Sequence, residues 1–230
     1  MEPARTTTAG SQTLARGLRA LELVAAARDG MSVQEIADEL DVHRSIASRL
    51  LATLAEFRLT TRGQDNRYRP GAGLAALSAG VHLTLREAAD PVLRDLAAEL
   101  NATVSLLVVE GDEAVALAVV EPPRANYLIS FRAGGHHPLG RGSAGVALLA
   151  AAAPIPGEAP AITEARKRGY ASTFGEVEPG AYGVAVPLPP TPGMPRACLN
   201  LITHRVELAE AAPPTLIAAA ERLHATLTSM

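Results

Sequence analysis

The sequence predicts an α+β protein in two parts: a small helical unit closed by a β-hairpin, then a larger domain of antiparallel strands and helices. Three observations predict it. Apolar residues recur at helical spacing in three separate segments before residue 57, and two short runs flank the polar turn Gly63-Gln64-Asp65-Asn66. Beyond residue 100, alternating apolar segments are interleaved with helical ones.

The first helix is carried by Leu14, Leu18, Leu21, Val24 and Ala25 and stops at Asp29-Gly30. Ser32 and Glu35 have the spacing of a capping box, and Val33, Ile36, Ala37 and Leu40 supply the buried stripe of a second helix. After the turn Asp41-Val42-His43, a third helix covers residues 44–57, with Ile46, Ala47, Leu50, Leu51 and Leu54 facing inward. Leu59-Thr60-Thr61 and Arg67-Tyr68-Arg69 are the arms of the hairpin, closed by Pro70-Gly71. Residues 74–85 read as a connecting helix. The expected division is a helical unit with its hairpin over residues 11–70, a linker helix over 71–86 and the larger domain over 87–230.

In that domain, residues 91–100 read as an amphipathic helix, and residues 103–109 and 114–120 as strands joined through Glu110-Gly111-Asp112-Glu113. A third strand is expected over 127–131, followed by a loop through Gly134-Gly135-His136-His137-Pro138. Helices are expected over 143–152 and 162–168, and strands over 182–186 and 197–202. Pro213-Pro214 opens a last helix over 215–228. The order suggests antiparallel strands with helices on one side, and residues 187–195 read as a Pro-rich surface loop.

Composition excludes several classes. With 48% hydrophobic and 20% charged residues the chain has material for a core and is no disordered segment. No apolar run reaches the ~18 residues of a membrane-spanning helix, and the first ten residues hold no hydrophobic segment of signal type. A single cysteine, Cys198, leaves no room for an internal disulfide framework or a multi-cysteine zinc site. A soluble, cytoplasmic protein without a membrane partner is expected. The net charge of −3 is unevenly spread: residues 1–85 hold 10 arginines against 9 acids, residues 86–230 hold 11 basic against 15 acidic groups.

Three helices with a tight turn between the second and third, followed by a hairpin, are the pattern of a winged helix-turn-helix. The outward positions at the start of the third helix are His43, Arg44, Ser45, Ser48 and Arg49. These side chains donate hydrogen bonds to base edges and phosphates, and a recognition helix reads bases with its N-terminal residues. The hairpin carries Arg62, Arg67 and Arg69 against Asp65 alone, a positive wing suited to phosphate contact or minor-groove insertion. On this reading the loss of Arg67 flattens the salt dependence of binding. A polar outer face is also what any three-helix bundle shows, but the Ser/His/Arg helix start combined with a basic hairpin favours double-stranded DNA.

Ser11-Gln12-Thr13-Leu14-Ala15-Arg16-Gly17-Leu18-Arg19-Ala20-Leu21 and Val42-His43-Arg44-Ser45-Ile46-Ala47-Ser48-Arg49-Leu50-Leu51 resemble the N-terminal half of the IclR family of bacterial transcriptional regulators. Arg168-Gly169-Tyr170-Ala171, Gly175-Glu176 and Tyr182-Gly183-Val184-Ala185-Val186-Pro187 resemble its effector-binding half. The resemblance implies a winged helix-turn-helix joined by a linker helix to a GAF/profilin-like α+β domain. It also implies a homodimer or tetramer on pseudo-palindromic operator DNA, with a small-molecule effector altering affinity. It places Arg16 on the DNA backbone or minor groove. It places Ser143, Ala144 and Gly145 on one wall of the effector pocket, with Glu176, Val184, Val186, Asn200 and Ile202 on the others. Two departures stand out: Gly140 and Val146 replace the family's usual His and Lys, and the segment between Pro154 and Ile162 is short.

Gly140-Arg141-Gly142-Ser143-Ala144-Gly145 matches G-x-G-x-x-G, but a Gly/His/Pro loop precedes it where a dinucleotide site needs a strand. It reads instead as a helix N-terminus whose backbone N–H groups suit a carboxylate, or as small residues packed closely against a strand. Glu176 reads equally as a solvated loop residue or a backbone cap, and Asn200 as the partner of a structural hydrogen bond. His136 and His137 diverge in extended chain and have no further ligand at metal spacing. Cys198 reads as a small buried hydrophobe. Ser143 lacks the nucleophile-elbow context, and no phosphate-binding loop or zinc-protease motif is present. No catalytic residue, cofactor or metal is therefore expected. Two other readings remain at this point: a regulator whose second domain only oligomerises, and an enzyme or metabolite-binding protein whose helical unit is an interaction module.

Overall fold

The computed structural model describes residues 10–122 and 131–230, so all but Phe131 of the strand expected over 127–131 lies outside the described residues. The chain divides between Val81 and His82 into two compact units.

The first unit runs α1 (Gln12–Ala26), α2 (Val33–Glu39), α3 (Arg44–Glu56), β1 (Thr60–Arg62), β2 (Tyr68–Pro70) and α4 (Gly73–Ala79). Each of its first three helices begins on a side-chain cap. Ser11 accepts from the Leu14 N–H, Ser32 and Glu35 complete a reciprocal capping box, and the His43 ring accepts from the Ser45 N–H. Ala20, Val24, Ile36, Ala37, Ala47, Leu51, Leu54 and Tyr68 form its core. The antiparallel hairpin β1–β2 pairs Thr60 with Pro70 and Arg62 with Tyr68. Met31 adds a bridge to Tyr68 through two backbone hydrogen bonds of 2.9 and 2.7 Å. Gly30 allows this approach: it sits at φ +73°, and a Cβ there would stand 2.5 Å from the Tyr68 carbonyl oxygen.

The second unit runs α5 (Leu83–Leu100), β3 (Thr103–Glu110), β4 (Glu113–Val120), β5 (His136–Pro138), α6 (Gly142–Ala150), α7 (Pro160–Arg168), β6 (Ala171–Phe174), β7 (Tyr182–Pro187), β8 (Ala197–Thr203), α8 (Val206–Ala211) and α9 (Pro213–Thr228). Its sheet has the order β5-β4-β3-β8-β7-β6, and every adjacent pair is antiparallel. A bulge between Leu106 and Leu107 leaves Leu117 unpaired in β4.

Several expectations are corrected. The single connecting helix over 74–85 is two helices, because the chain turns at Gly80–His82 and His82 adopts a left-handed conformation, φ 44°. Helix α5 does not start at Pro91 but runs through it. The buried stripe Leu85, Ala88, Ala89, Leu93, Leu96 and Ala97 outweighs the one backbone hydrogen bond that proline removes. His136–Pro138 is strand, paired with β4, rather than loop. Helices cover both faces of the sheet: α5, α8 and α9 pack on Val104, Leu106, Leu199 and Leu201, and α6 and α7 on Leu107, Ala116, Ala185 and Cys198. Strand β6 and helix α8 had no expectation; both are short and partly exposed, without a clear period.

Candidate nucleic-acid interface and ligand cleft

Helix α3 buries Ala47, Leu51 and Leu54 and thereby turns Ser45, Ser48 and Arg49 to the solvent, while His43 and Arg44 are exposed at its open N-terminal end. Neither Arg44 nor Arg49 is ion-paired to a described residue. His43 does more than face outward. Its Nδ1 accepts from the Ser45 backbone at 3.3 Å and lies 2.9 Å from the Ser45 hydroxyl, so the ring fixes the first turn of the helix. Arg16, on α1, is partly buried.

The wing arginines differ from one another. Arg62 is exposed, its guanidinium 5.9 Å from the Tyr68 ring centroid. Arg69 holds Asp65 with two hydrogen bonds of 3.0 and 2.7 Å, and this guanidinium keeps the Asp65 carboxyl well below its ordinary range. Arg67 turns inward onto the Gly30 carbonyl and onto Glu35 Oε1, at 3.0 Å each.

In the second unit, a narrow cleft with a cavity volume of about 30 Å³ lies beside the start of α6. Gly142, at φ +68°, opens the helix; a Cβ there would press on Val177 at 2.6 Å. Its N–H donates to Glu176 Oε2 at 2.7 Å, and Arg141 Nε donates to the Glu176 carbonyl at 2.6 Å. Deeper in, the Ser143 hydroxyl donates to Asn200 Oδ1 at 2.8 Å, and Asn200 Nδ2 lies 3.5 Å from Ser105 Oγ. All three residues are buried, so this line of polar groups crosses from α6 through β8 to β3 inside an otherwise apolar layer.

Of the residues expected in a pocket, Ser143, Ala144, Glu176, Asn200 and Ile202 line this cleft. Gly145, Val184 and Val186 do not. Gly145 packs on the preceding loop, where a Cβ would stand 3.0 Å from Gly140 N and 3.2 Å from the Pro138 carbonyl. Val184 and Val186 belong to the opposite face of the sheet, under α5 and α9. The register explains this: β7 sets Gly183 against Ile202 and Ala185 against Asn200, so the odd positions share the cleft's face. Sequence reading missed Phe131, His137, Thr173, Val177, Tyr182 and Gly183 in the lining. Two carried a usable signal. Alternation along His136-His137 turns one ring inward and the other out, and His136 lies 3.1 Å from Glu113; alternation from Asn200 through the β7 register selects Gly183.

Cys198 is fully buried, and that burial pushes its thiol pKa up, away from thiolate formation. Among the described residues no cluster of His, Cys, Asp or Glu could hold a metal ion, and no helix is long and apolar enough to cross a membrane.

A winged helix-turn-helix with an exposed third-helix start, together with an α+β unit holding a cleft, is the architecture of a class of DNA-binding regulators. The comparisons place the chain within it. Residues 13–63 match the IclR helix-turn-helix domain, and residues 78–156 match the C-terminal domain of the bacterial transcriptional regulator IclR. The chain belongs to the IclR family, a family of transcriptional regulators and not of enzymes. A relative, the HTH-type transcriptional regulator Rv1719 of Mycobacterium tuberculosis, is 33% identical over 150 residues, a stretch that spans 65% of this chain and 58% of the relative's length. The crystal structure of the Thermotoga maritima IclR is 25% identical, with a TM-score of 0.71 over 94% of this chain and 98% of that one. An IclR homologue from Microbacterium hydrocarbonoxydans, solved with 4-hydroxybenzoate, shares the fold at 24% identity, with a TM-score of 0.77 over 95% of this chain and 100% of that one.

Proposed function

We propose that the protein is a ligand-responsive transcriptional regulator whose α3 reads operator DNA and whose cleft binds a small organic carboxylate. The observation that carries the ligand reading is the Glu176 carboxylate on the Gly142 N–H: the start of α6 already accommodates a carboxylate there. Phe131 and Tyr182 add aromatic surface for the rest of such a molecule. The structural relative solved with 4-hydroxybenzoate supports an acid of this kind. The ligand acts by preferring one arrangement of the DNA-binding units over another, and only that preference shifts DNA affinity.

On the DNA side the contacts are assigned to His43, Arg44, Ser45, Ser48 and Arg49 of α3, to Arg16 of α1 and to Arg62 of the wing. The protein works in the cytoplasm as a homodimer or tetramer. Exposed apolar side chains of the first unit, Leu14, Leu18, Phe57 and Leu77, support self-association. A thermal-shift screen of small carboxylates, followed by calorimetry on Ser143→Trp, tests the cleft. The variant is expected to lose ligand binding and, because Ser143 belongs to the buried polar line, to lower the unfolding transition of the second unit, while the folded protein retains DNA binding; full ligand affinity in Ser143→Trp refutes the placement.

A further inference from the structure

A hairpin of two three-residue strands is marginal by itself, so its position must be fixed from outside. Two ties run from the wing to the segment that joins α1 to α2. One is the Met31–Tyr68 bridge. The other is Arg67, whose Nε and Nη2 donate to the Gly30 carbonyl at 3.3 and 3.0 Å, with Nε also 3.2 Å from the Asp29 carbonyl, while Nη2 reaches Glu35 Oε1. Glu35 does two jobs. Its Oε2 accepts from the Ser32 N–H at 2.7 Å, closing the capping box of α2, and its Oε1 holds the wing. An arginine whose Nε and Nη2 are engaged by two backbone carbonyls and a carboxylate has that edge of its guanidinium occupied within the domain. Arg69 is likewise occupied, by Asp65 within the hairpin.

We propose that Arg67 is a positioning residue of DNA binding: through Glu35 and the Gly30 carbonyl it fixes the wing against the start of α2, and it leaves the wing's phosphate contact to Arg62. The proposal rests on the reading of α3 and the hairpin as the DNA-facing surface. It separates two effects that charge counting merges. A phosphate contact releases counterions and steepens the salt dependence of binding, with a slope of ~0.9 per contact. A brace contributes affinity without contributing to that slope.

The test uses the full chain and a duplex it selects from a random-sequence pool, titrated by fluorescence anisotropy across a salt series. Arg67→Gln is expected to weaken binding about tenfold with the slope unchanged. Arg67→Lys recovers none of the loss, because an ammonium cannot reproduce the fork. Glu35→Gln weakens binding although it removes a negative charge from a surface facing DNA, and Arg62→Gln flattens the slope by ~0.9. Arg67→Gln with a flattened slope or unchanged affinity, Arg67→Lys at wild-type affinity, or Glu35→Gln binding more tightly each overturns the proposal. Thermal unfolding is followed for every variant. Arg67→Lys and Glu35→Gln each keep a polar side chain of similar length, so these two variants decide the question if Arg67→Gln does not fold. Arg49→Gln in the same series reads α3 separately: a loss there beside a flattened Arg67→Gln slope overturns the brace alone, and no loss at either overturns the DNA-facing reading with it.

Discussion

On α3 of the first unit Arg44 and Arg49 are exposed and form no ion pair with a described residue, whereas in the second unit Ser143, Asn200 and Ser105 are buried and bonded to one another. Arg49 owes its direction to the helical period: once Ala47, Leu51 and Leu54 are buried, it must face water, whereas Arg44, on the same side as Ala47 and Leu51, is exposed because it opens the helix. Ser143, Asn200 and Ser105 meet only because α6 lies across β8 and β3, with up to 95 residues between partners. Removing a free group therefore costs binding and little stability. Removing a member of the buried line costs stability first, because its partners lose a hydrogen bond at positions almost closed to solvent.

The contrast can be broken most directly at Asn200. Asn200→Leu strips Ser143 and Ser105 of their partner and is expected to destabilise the second unit by roughly 2–4 kcal/mol, read as a lowered transition in scanning calorimetry; an unchanged transition would remove the distinction between the two regions. Arg44→Ala or Arg49→Ala is expected to cost ~1–3 kcal/mol of DNA affinity where the side chain meets a base, while the melting temperature stays put. Anisotropy titration beside thermal unfolding reads both quantities on one sample. Gly183→Ala sharpens the contrast. A Cβ there would collide with Ser143 Oγ, so the hydroxyl must leave Asn200, at an expected cost of about 1 kcal/mol and with weakened ligand response.

The smallest effect concerns pH. The Glu35 carboxyl is held down to about 2 from the ordinary 4.5, chiefly by the Ser32 N–H and then by Arg67. A lowered carboxyl pKa means that its stabilisation is complete above 4.5 and disappears as pH falls toward 2. Acid unfolding of the first unit should show that arm in the wild type and lack it in Glu35→Gln; identical acid profiles would show that the brace adds nothing to stability.

How much was legible follows from the same contrast. The capping box Ser32–Glu35, the start of α3 at Arg44 and the hairpin around Gly63–Asn66 depend on residues within a few positions of each other, and each forms where local chemistry places it. Arg67 and Arg69 were legible as charges but not as contacts. A positive count on the hairpin says nothing of Glu35, 32 positions away, which takes one of them. In the cleft, Ser143 and Asn200 carried a signal as polar residues in small or apolar surroundings. Val184 and Val186 misled, because a hydrophobic strand covered by helices on both faces loses the alternation that would mark its sides.

By itself the amino-acid order determined α1, α2, α3 and α9, the Ser32–Glu35 cap, the hairpin and the apolar strands β3, β4, β7 and β8, since those arise from periods and short-range hydrogen bonds. Only tertiary structure decided which face of β7 lines the cleft, that helices cover the sheet twice, and that an arginine of the wing belongs to Glu35. Each of these depends on which distant segments end up adjacent, and strand register and helix packing across the whole unit set that adjacency.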